Sequence, residues 1–550
     1  MTPLKSNSLR WVWLGAVAVV ALGAVGSAAG AEELLAPDRP IAQVIDHYVD
    51  LKLQKAKIAP APPADPATFV RRLYLDLAGR IPTPAEARDF VNSTDPQRQE
   101  KLIRELLAAP EFIRHNATEF DAFLRNDNAD GGSVRGYLLK AFQENRPWDR
   151  MFRELVGAAE TPDPAKPDQY VTKRLKDRDA LTRDISSVFF GLNISCAQCH
   201  RHPYIKSLTQ DYFFGMREFF ATSYEFQGNL LDRKFTKPAE FKAKDGKTQP
   251  VSMMFLDGKT VAMERETVPD LAKAIAEESK LIEQFSKNYA KAKELPPSAT
   301  FRPRVKLAEL GLAAESRDMF ARAMVNRLWH RFHGYGLVMR VDQMHANNTP
   351  SHPELLQWLT RDFVEQKYDL KRLIGGLVAS RTYARSSQWK DDERPAPELF
   401  AVAVLRPLTP AQWAMSFSLA NNPALIKPEK TLELREKSLA AAESQSKGLE
   451  ALIEYPREDM QIPITESMKL SNDPAILKSM GGPLLATLMK SKDHREQIEE
   501  STWAVLSRAP AVEDYELFEA YLEKRKDRPA AGLQQMIWTL INSPEFRFNH

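Results

Sequence analysis

At 550 residues the chain is long enough for two or more domains with ample core. Its 76 Lys and Arg stand against 73 Asp and Glu, a formal charge of +3, so no electrostatic excess points to nucleic acid or an anionic membrane as partner. With 27% charged residues, 23 glycines and a mean hydropathy of −0.41, the composition is that of an ordinary soluble protein and favours helix over strand.

Lys5 and Arg10 precede an apolar run over 11–25, which closes on Ala29-Gly30-Ala31. A charged region, an apolar region and small residues in that order predict a signal peptide at 1–31 and export to the periplasm or cell envelope. The run is short for a spanning helix, and no later segment is long and apolar enough, so no membrane span is expected after cleavage. Without Lys5 and Arg10, the two ionisable side chains of that segment, the formal charge falls to +1.

Residues 32–61 read as an N-terminal helix (41–58) and a Pro-rich linker. A helical domain is expected over 62–227. It starts with a helix over 65–77 whose apolar residues Phe69, Leu73 and Leu77 fall at helical spacing. Gly79 ends that helix, and Thr83-Pro84 provides an N-cap and a first-turn proline for the next. Helical pattern continues to Gln143 around a polar loop at 126–133, and residues 183–190 lead into the cysteines. Residues 228–301 change texture: Asp245-Gly246 and Asp257-Gly258 turns suggest a small β-hairpin insertion, followed by a charged helix over 269–294. A second helical domain is expected over 302–550, with 427–447 as an exposed charged connection. Residues 101–112, 372–383 and 535–546 share one pattern, an apolar helix, small residues and then Phe112, Tyr383 or Phe546. Apolar periodicity of this kind reads as core.

Both cysteines of the chain lie in Cys196-Ala197-Gln198-Cys199-His200. Two thiols one turn apart can add to the two vinyl groups of a haem, and the following imidazole then reaches the iron. Haem c attached through Cys196 and Cys199, with His200 as proximal ligand, is the first reading. An oxidising compartment also permits a disulfide. Zinc is a third reading, with Cys196, Cys199, His202 and one remote donor; His200 and His202 are the metal-ligating candidates of this run. His202 is too close in sequence to reach the far face of a haem. His345, Met344, Met216 and Met253 are candidates for that face. No phosphate loop, Ser-His-Asp order or His-Glu-x-x-His motif is present.

Several segments together resemble a known family. Arg71-Arg72-Leu73-Tyr74-Leu75-Asp76 with Gly79 and Pro82-Thr83-Pro84, then Asn145-Arg146-Pro147-Trp148-Asp149-Arg150, then Cys196 to Pro203, match a planctomycete cytochrome-c-like domain of unknown function. Asn326-Arg327-Leu328-Trp329, Gly334-Tyr335-Gly336, Pro350-Ser351-His352-Pro353-Glu354, Ser380-Arg381-Thr382-Tyr383 and Asn542 to Phe546 match the planctomycete-specific domain that follows it. The second region departs at His333-Gly334-Tyr335-Gly336, where Phe-Gly-Arg-Gly is usual, and the first departs over Asn116 to Arg125. The resemblance implies a mainly α fold of two helical domains with a small β-hairpin insertion, export, and haem c as cofactor, with zinc or no cofactor as alternatives. It implies no reaction, so whether the protein is an enzyme stays open. Motif membership makes His352 the first candidate for the far side of the iron. Asp76 beside Arg71 and Arg72, and Asp149 beside Arg146 and Arg150, read as structural ion pairs or caps. The expected function is that of an exported c-type haem-binding protein in electron transfer or a haem-dependent redox step, with a redox protein or cell-envelope component as partner. The alternative is a non-enzymatic cell-envelope binding or scaffold protein whose cysteine pair is a disulfide or metal staple.

Overall fold

Many of the helices of this proline-rich chain start on a proline. Pro66, Pro84, Pro110, Pro303, Pro353, Pro410 and Pro529 each stand in a first helical turn, where the missing N–H has no intrahelical acceptor to lose. Asp65, Thr83 and Thr409 cap three of these helices through their side chains. The computed structural model describes residues 34–550 apart from 127–130, 162, 244–245, 265, 428, 430, 457–463, 475, 477–479 and 481. The signal peptide expected at 1–31 lies outside the described residues.

The described chain is mainly helical, with four small two-stranded antiparallel sheets. Three of these sheets replace the single expected hairpin: Ser223–Phe226 with Asn229–Asp232, Glu240–Lys242 with Thr248–Pro250, and Met253–Met254 with Thr260–Val261. The first begins before residue 228, turning at Gln227-Gly228, where both residues take positive φ. The charged helix follows at Leu271–Ala292 and buries little beyond Glu278. The stretch expected as an exposed charged connection is the helix Leu432–Glu450, most of whose residues are exposed. It buries Leu439, Ala442 and Ser446, and Glu443 pairs with Arg114 and Arg135. Its apolar residues sit too far apart among charges for periodicity to stand out.

Residues 35–550 form one packed unit. Trp148, Phe152, Phe189 and Phe190 from the first half surround Phe320 from the second, with ring centroids 5.1–6.2 Å from it apart from Phe189, which stacks on Trp148 at 5.4 Å. A second core gathers Trp413, Phe417, Ile498, Leu506 and Ile537, and takes in Leu75 and Ile81 from the N-terminal part.

Between them runs a buried polar seam. The predicted helix over 65–77 is α-helical only to Leu73; Tyr74–Ala78 forms a π-turn, a distortion that re-aims side chains. Asp76 therefore does not pair with Arg71 or Arg72. Its carboxylate accepts from Arg406 at 2.8 and 2.7 Å, from the Tyr383 hydroxyl at 2.7 Å and from Asn549 at 2.9 Å. Arg71 donates instead to the Val505 and Phe546 carbonyls, and Arg72 to those of Arg385, Tyr383 and His550. Arg146 likewise binds Glu144, Glu154 and Asp163, and the Arg150 guanidinium binds Glu154; Asp149 takes the Arg150 backbone N–H in the first helical turn instead of an ion pair.

Candidate functional site

The cysteine loop begins where the helix Arg178–Phe190 stops. Gly191 takes φ +63°, a conformation that costs glycine nothing. A Cβ there would stand 2.9 Å from Met344 Sδ and 3.2 Å from Ala323 Cβ, so a bare backbone lets the 339–348 segment lie against the loop. The two strips are zipped together. Met344 N–H donates to the Gly191 carbonyl at 2.9 Å, and Asn193 N–H to the Asp342 carbonyl at 2.7 Å. Leu192 bridges Gln343, and Asn193 Nδ2 donates to Asp342 Oδ2 at 2.9 Å.

The cysteines lie on the next turn, a 3-10 helix over Ser195–Gln198. The Cys196 carbonyl accepts from both Cys199 N–H (3.3 Å) and His200 N–H (3.1 Å), which puts the two thiols and the imidazole on one tight turn. Buried Ala197 and Ile194 pin its inner side. Gln198 ties it down through Arg183 and Asp179 at 3.0 and 2.9 Å. Both thiols are free, Cys196 half-buried and Cys199 exposed.

The three nearby histidines have different surroundings. His200 is exposed, and its Nδ1 lies 2.7 Å from the Arg201 carbonyl. Nδ1 is therefore the protonated nitrogen of the neutral ring, whose Nε2 lone pair is directed elsewhere. His202 is buried; its Nδ1 accepts from the Tyr204 and Ile205 N–H groups at 3.3 and 3.2 Å, and it also bonds the Asn193 backbone. Burial, with His345 and His200 nearby, lowers its pKa. His202 thus knits the loop closed, and ligating a metal would cost those bonds. His345 comes from the opposing strip, stacks on Tyr204 at 5.8 Å and lies 6.0 Å from the His202 ring, with a buried Nδ1 that has no hydrogen-bond partner.

The other candidates sit elsewhere or are packed away. His352 packs on Phe400 at 5.4 Å, hydrogen-bonds Ser351 and lies near Lys52. Phe400 also touches His333, the last residue of the helix Arg317–His333, whereas Ala323 of that helix touches the cysteine loop. Those ten residues span about 15 Å, so the structure brings His345 to His202 of the cysteine loop and leaves His352 apart. Met216, Met253 and Met344 are buried in apolar packing. Among the described residues no three His, Cys, Asp or Glu side chains converge into a metal-binding group.

The chemistry of the donors fits a covalently held haem. Two free thiols, one exposed and one half-buried, share one turn with an imidazole whose Nδ1–H is held by a carbonyl, the arrangement that fixes the tautomer of an iron-ligating histidine. The strip from 339 to 348 and residues Gly191 and Asn193 were not singled out together by the sequence; the glycine after Phe189-Phe190 was the available signal.

Comparison with known proteins adds family relationships. Residues 44–225 match the family described as PSCyt2, protein of unknown function (DUF1549), and residues 303–421 match PSD1, protein of unknown function (DUF1553). The cysteine loop lies in the first region and the strip zipped to it in the second. No curated protein and no solved structure matches the chain.

Proposed function

The chain joins a PSCyt2 region to a PSD1 region, two families of unknown function, and from that premise we propose that it is an exported c-type haem protein acting in electron transfer or a haem-dependent redox step. The observation that carries this reading is His200: its Nδ1 is held by the Arg201 carbonyl at 2.7 Å, beside two free thiols on the same turn. A bound haem would supply one-electron chemistry. Cys196 and Cys199 would anchor it through thioether bonds, and His200 Nε2 would be the proximal ligand. The Arg201 carbonyl holds the proton of the neutral ring on Nδ1, which turns Nε2 into the ligating nitrogen. Gln198, fixed by Asp179 and Arg183, holds the turn in place. Exposure of Cys199 and His200 leaves this face open to a redox protein or cell-envelope component. Export rests on the charged and apolar opening at 1–31.

The test is expression with its signal segment in a bacterial host competent in cytochrome maturation. The expected product gains the mass of one haem, shows a Soret band and keeps the haem through acid–acetone extraction. Cys199→Ala removes the resistant haem. Colourless wild-type protein of unmodified mass overturns the proposal, and a mass lower by two hydrogens assigns the cysteines to a disulfide.

A further inference from the structure

Four residues join the two family regions in one closed hydrogen-bonded circuit. His115, on the helix Pro110–Arg125, and Asp76 belong to the first region; Arg331, on the helix Arg317–His333, and Arg406 belong to the second. His115, Asp76 and Arg406 are buried. Arg331 Nη2 lies 3.1 Å from His115 Nε2. The Arg331 carbonyl accepts from Arg406 Nη1 at 2.7 Å, and the Arg406 guanidinium in turn holds the Asp76 carboxylate. The His115 imidazole closes the circuit on the Asp76 backbone.

A guanidinium only donates, so the approach of Arg331 makes His115 Nε2 an acceptor and leaves the proton of the neutral ring on Nδ1. Nδ1 faces Gly79, where an added Cβ would stand 2.5 Å from it; the ring is wedged against bare backbone. His115 is also the member of the circuit whose charge ordinarily changes between pH 5 and 8. Once Nε2 is protonated, two cations face each other across the junction and the bond becomes a repulsion. Burial, and then Arg331, hold the imidazole well below its ordinary value, with the Asp76 backbone in opposition. The neighbouring charged groups act differently. The Asp76 carboxylate is held by Arg406, Tyr383 and Asn549. Glu119, one turn along the helix of His115, faces Arg331 and accepts from the Thr409 hydroxyl at 2.8 Å. Burial raises its carboxyl despite Arg331, so its titration favours the closed junction as the pH falls.

We propose that His115 is an acid-sensitive latch: on taking up a proton it opens the circuit and loosens the junction of the two regions while their cores stay packed. Above pH 6.5 the latch is fully closed. As the pH falls from 6.5 toward the lowered value of the closed state, binding one proton on opening raises the opening constant by up to about tenfold per pH unit. His333, near Arg406, adds a proton of its own where opening reaches it, so the quantity to read is a difference between two proteins.

The test is amide hydrogen exchange of the full chain from pH 7.5 to 5.0, corrected for the intrinsic rate, in wild type and His115→Gln. Gln keeps a side-chain acceptor for Arg331 and does not titrate. Opening constants over residues 112–118 and 327–334 should rise as the pH falls. The rise should be shallower in His115→Gln, by up to about tenfold per pH unit. The core helix Pro529–Ile541 should stay protected at pH 5.0. Because the slope is read rather than the level, the comparison holds even where the substitution itself loosens the junction. An opening constant in wild type that does not change with pH overturns the proposal without any variant. Equal slopes in the two proteins, or loss of protection in the core together with the junction, overturn it as well.

Discussion

Asp76 is 2% exposed and meets Arg406, Tyr383 and Asn549 at once. Burial and the Asp76 carboxylate together push the Tyr383 hydroxyl well above its ordinary range, while the carboxylate outweighs burial at Arg406 and holds that guanidinium up. Removing one charge from such a group strands the other. Asp76→Asn should therefore destabilise the protein by about 3–5 kcal/mol, read from the midpoint of urea unfolding. His333 tests burial in the opposite sense. It stacks on Trp329 at 4.0 Å, and burial, with Arg406, Arg72 and Arg385 nearby, pushes its pKa from 6.5 down to about 3. In the unfolded chain it takes up a proton near pH 6.5. Its contribution to stability is thus complete above that pH and is lost as the pH falls toward 3, by up to about 1.4 kcal/mol per pH unit. Wild-type protein should lose more stability between pH 7 and 4.5 than His333→Gln; equal losses would refute the assignment.

At the scale of elements, the cysteine loop depends on how one helix ends and the next begins. Gly191→Ala places a Cβ at φ +63° and 2.9 Å from Met344 Sδ. The zipped strips should separate, with faster amide exchange at Asn193 and Met344 and little change at buried Trp413, which belongs to the other core. An unchanged exchange rate at Asn193 and Met344 would show that the strips do not rely on that close approach. Capping provides a simpler case. Thr83 and Glu86 form a reciprocal box, and burial is outweighed by Arg80 in holding the Glu86 carboxyl at about 2. Thr83→Ala should cost about 1 kcal/mol, measured by thermal or urea unfolding.

Across the whole molecule, the two family regions share one aromatic core around Phe320 and one polar seam around Asp76. Unfolding should accordingly proceed in one cooperative transition rather than one per region, as calorimetry can show. Ending the chain at Ser543 removes Phe546, the Asn549 partner of Asp76 and the backbone acceptors of Arg71 and Arg72 from residues 546 and 550. It should lower the midpoint of the whole transition, not only melt a local segment. Two independent transitions in the full chain would contradict this.

The sequence by itself determined the mainly helical character, the helix start at Thr83-Pro84 and the turn that unites Cys196, Cys199 and His200, because capping, periodicity and short spacing act within a few residues. It could not decide the partner of Asp76, 330 residues away in Arg406, nor that Glu443 of the helix Leu432–Glu450 would pair with Arg114 and Arg135. Nor could it place His345 rather than His352 against His202. Those outcomes follow from which surfaces meet when the chain collapses: the contacts join residues far apart along the chain, and no local pattern encodes which one fills a given face.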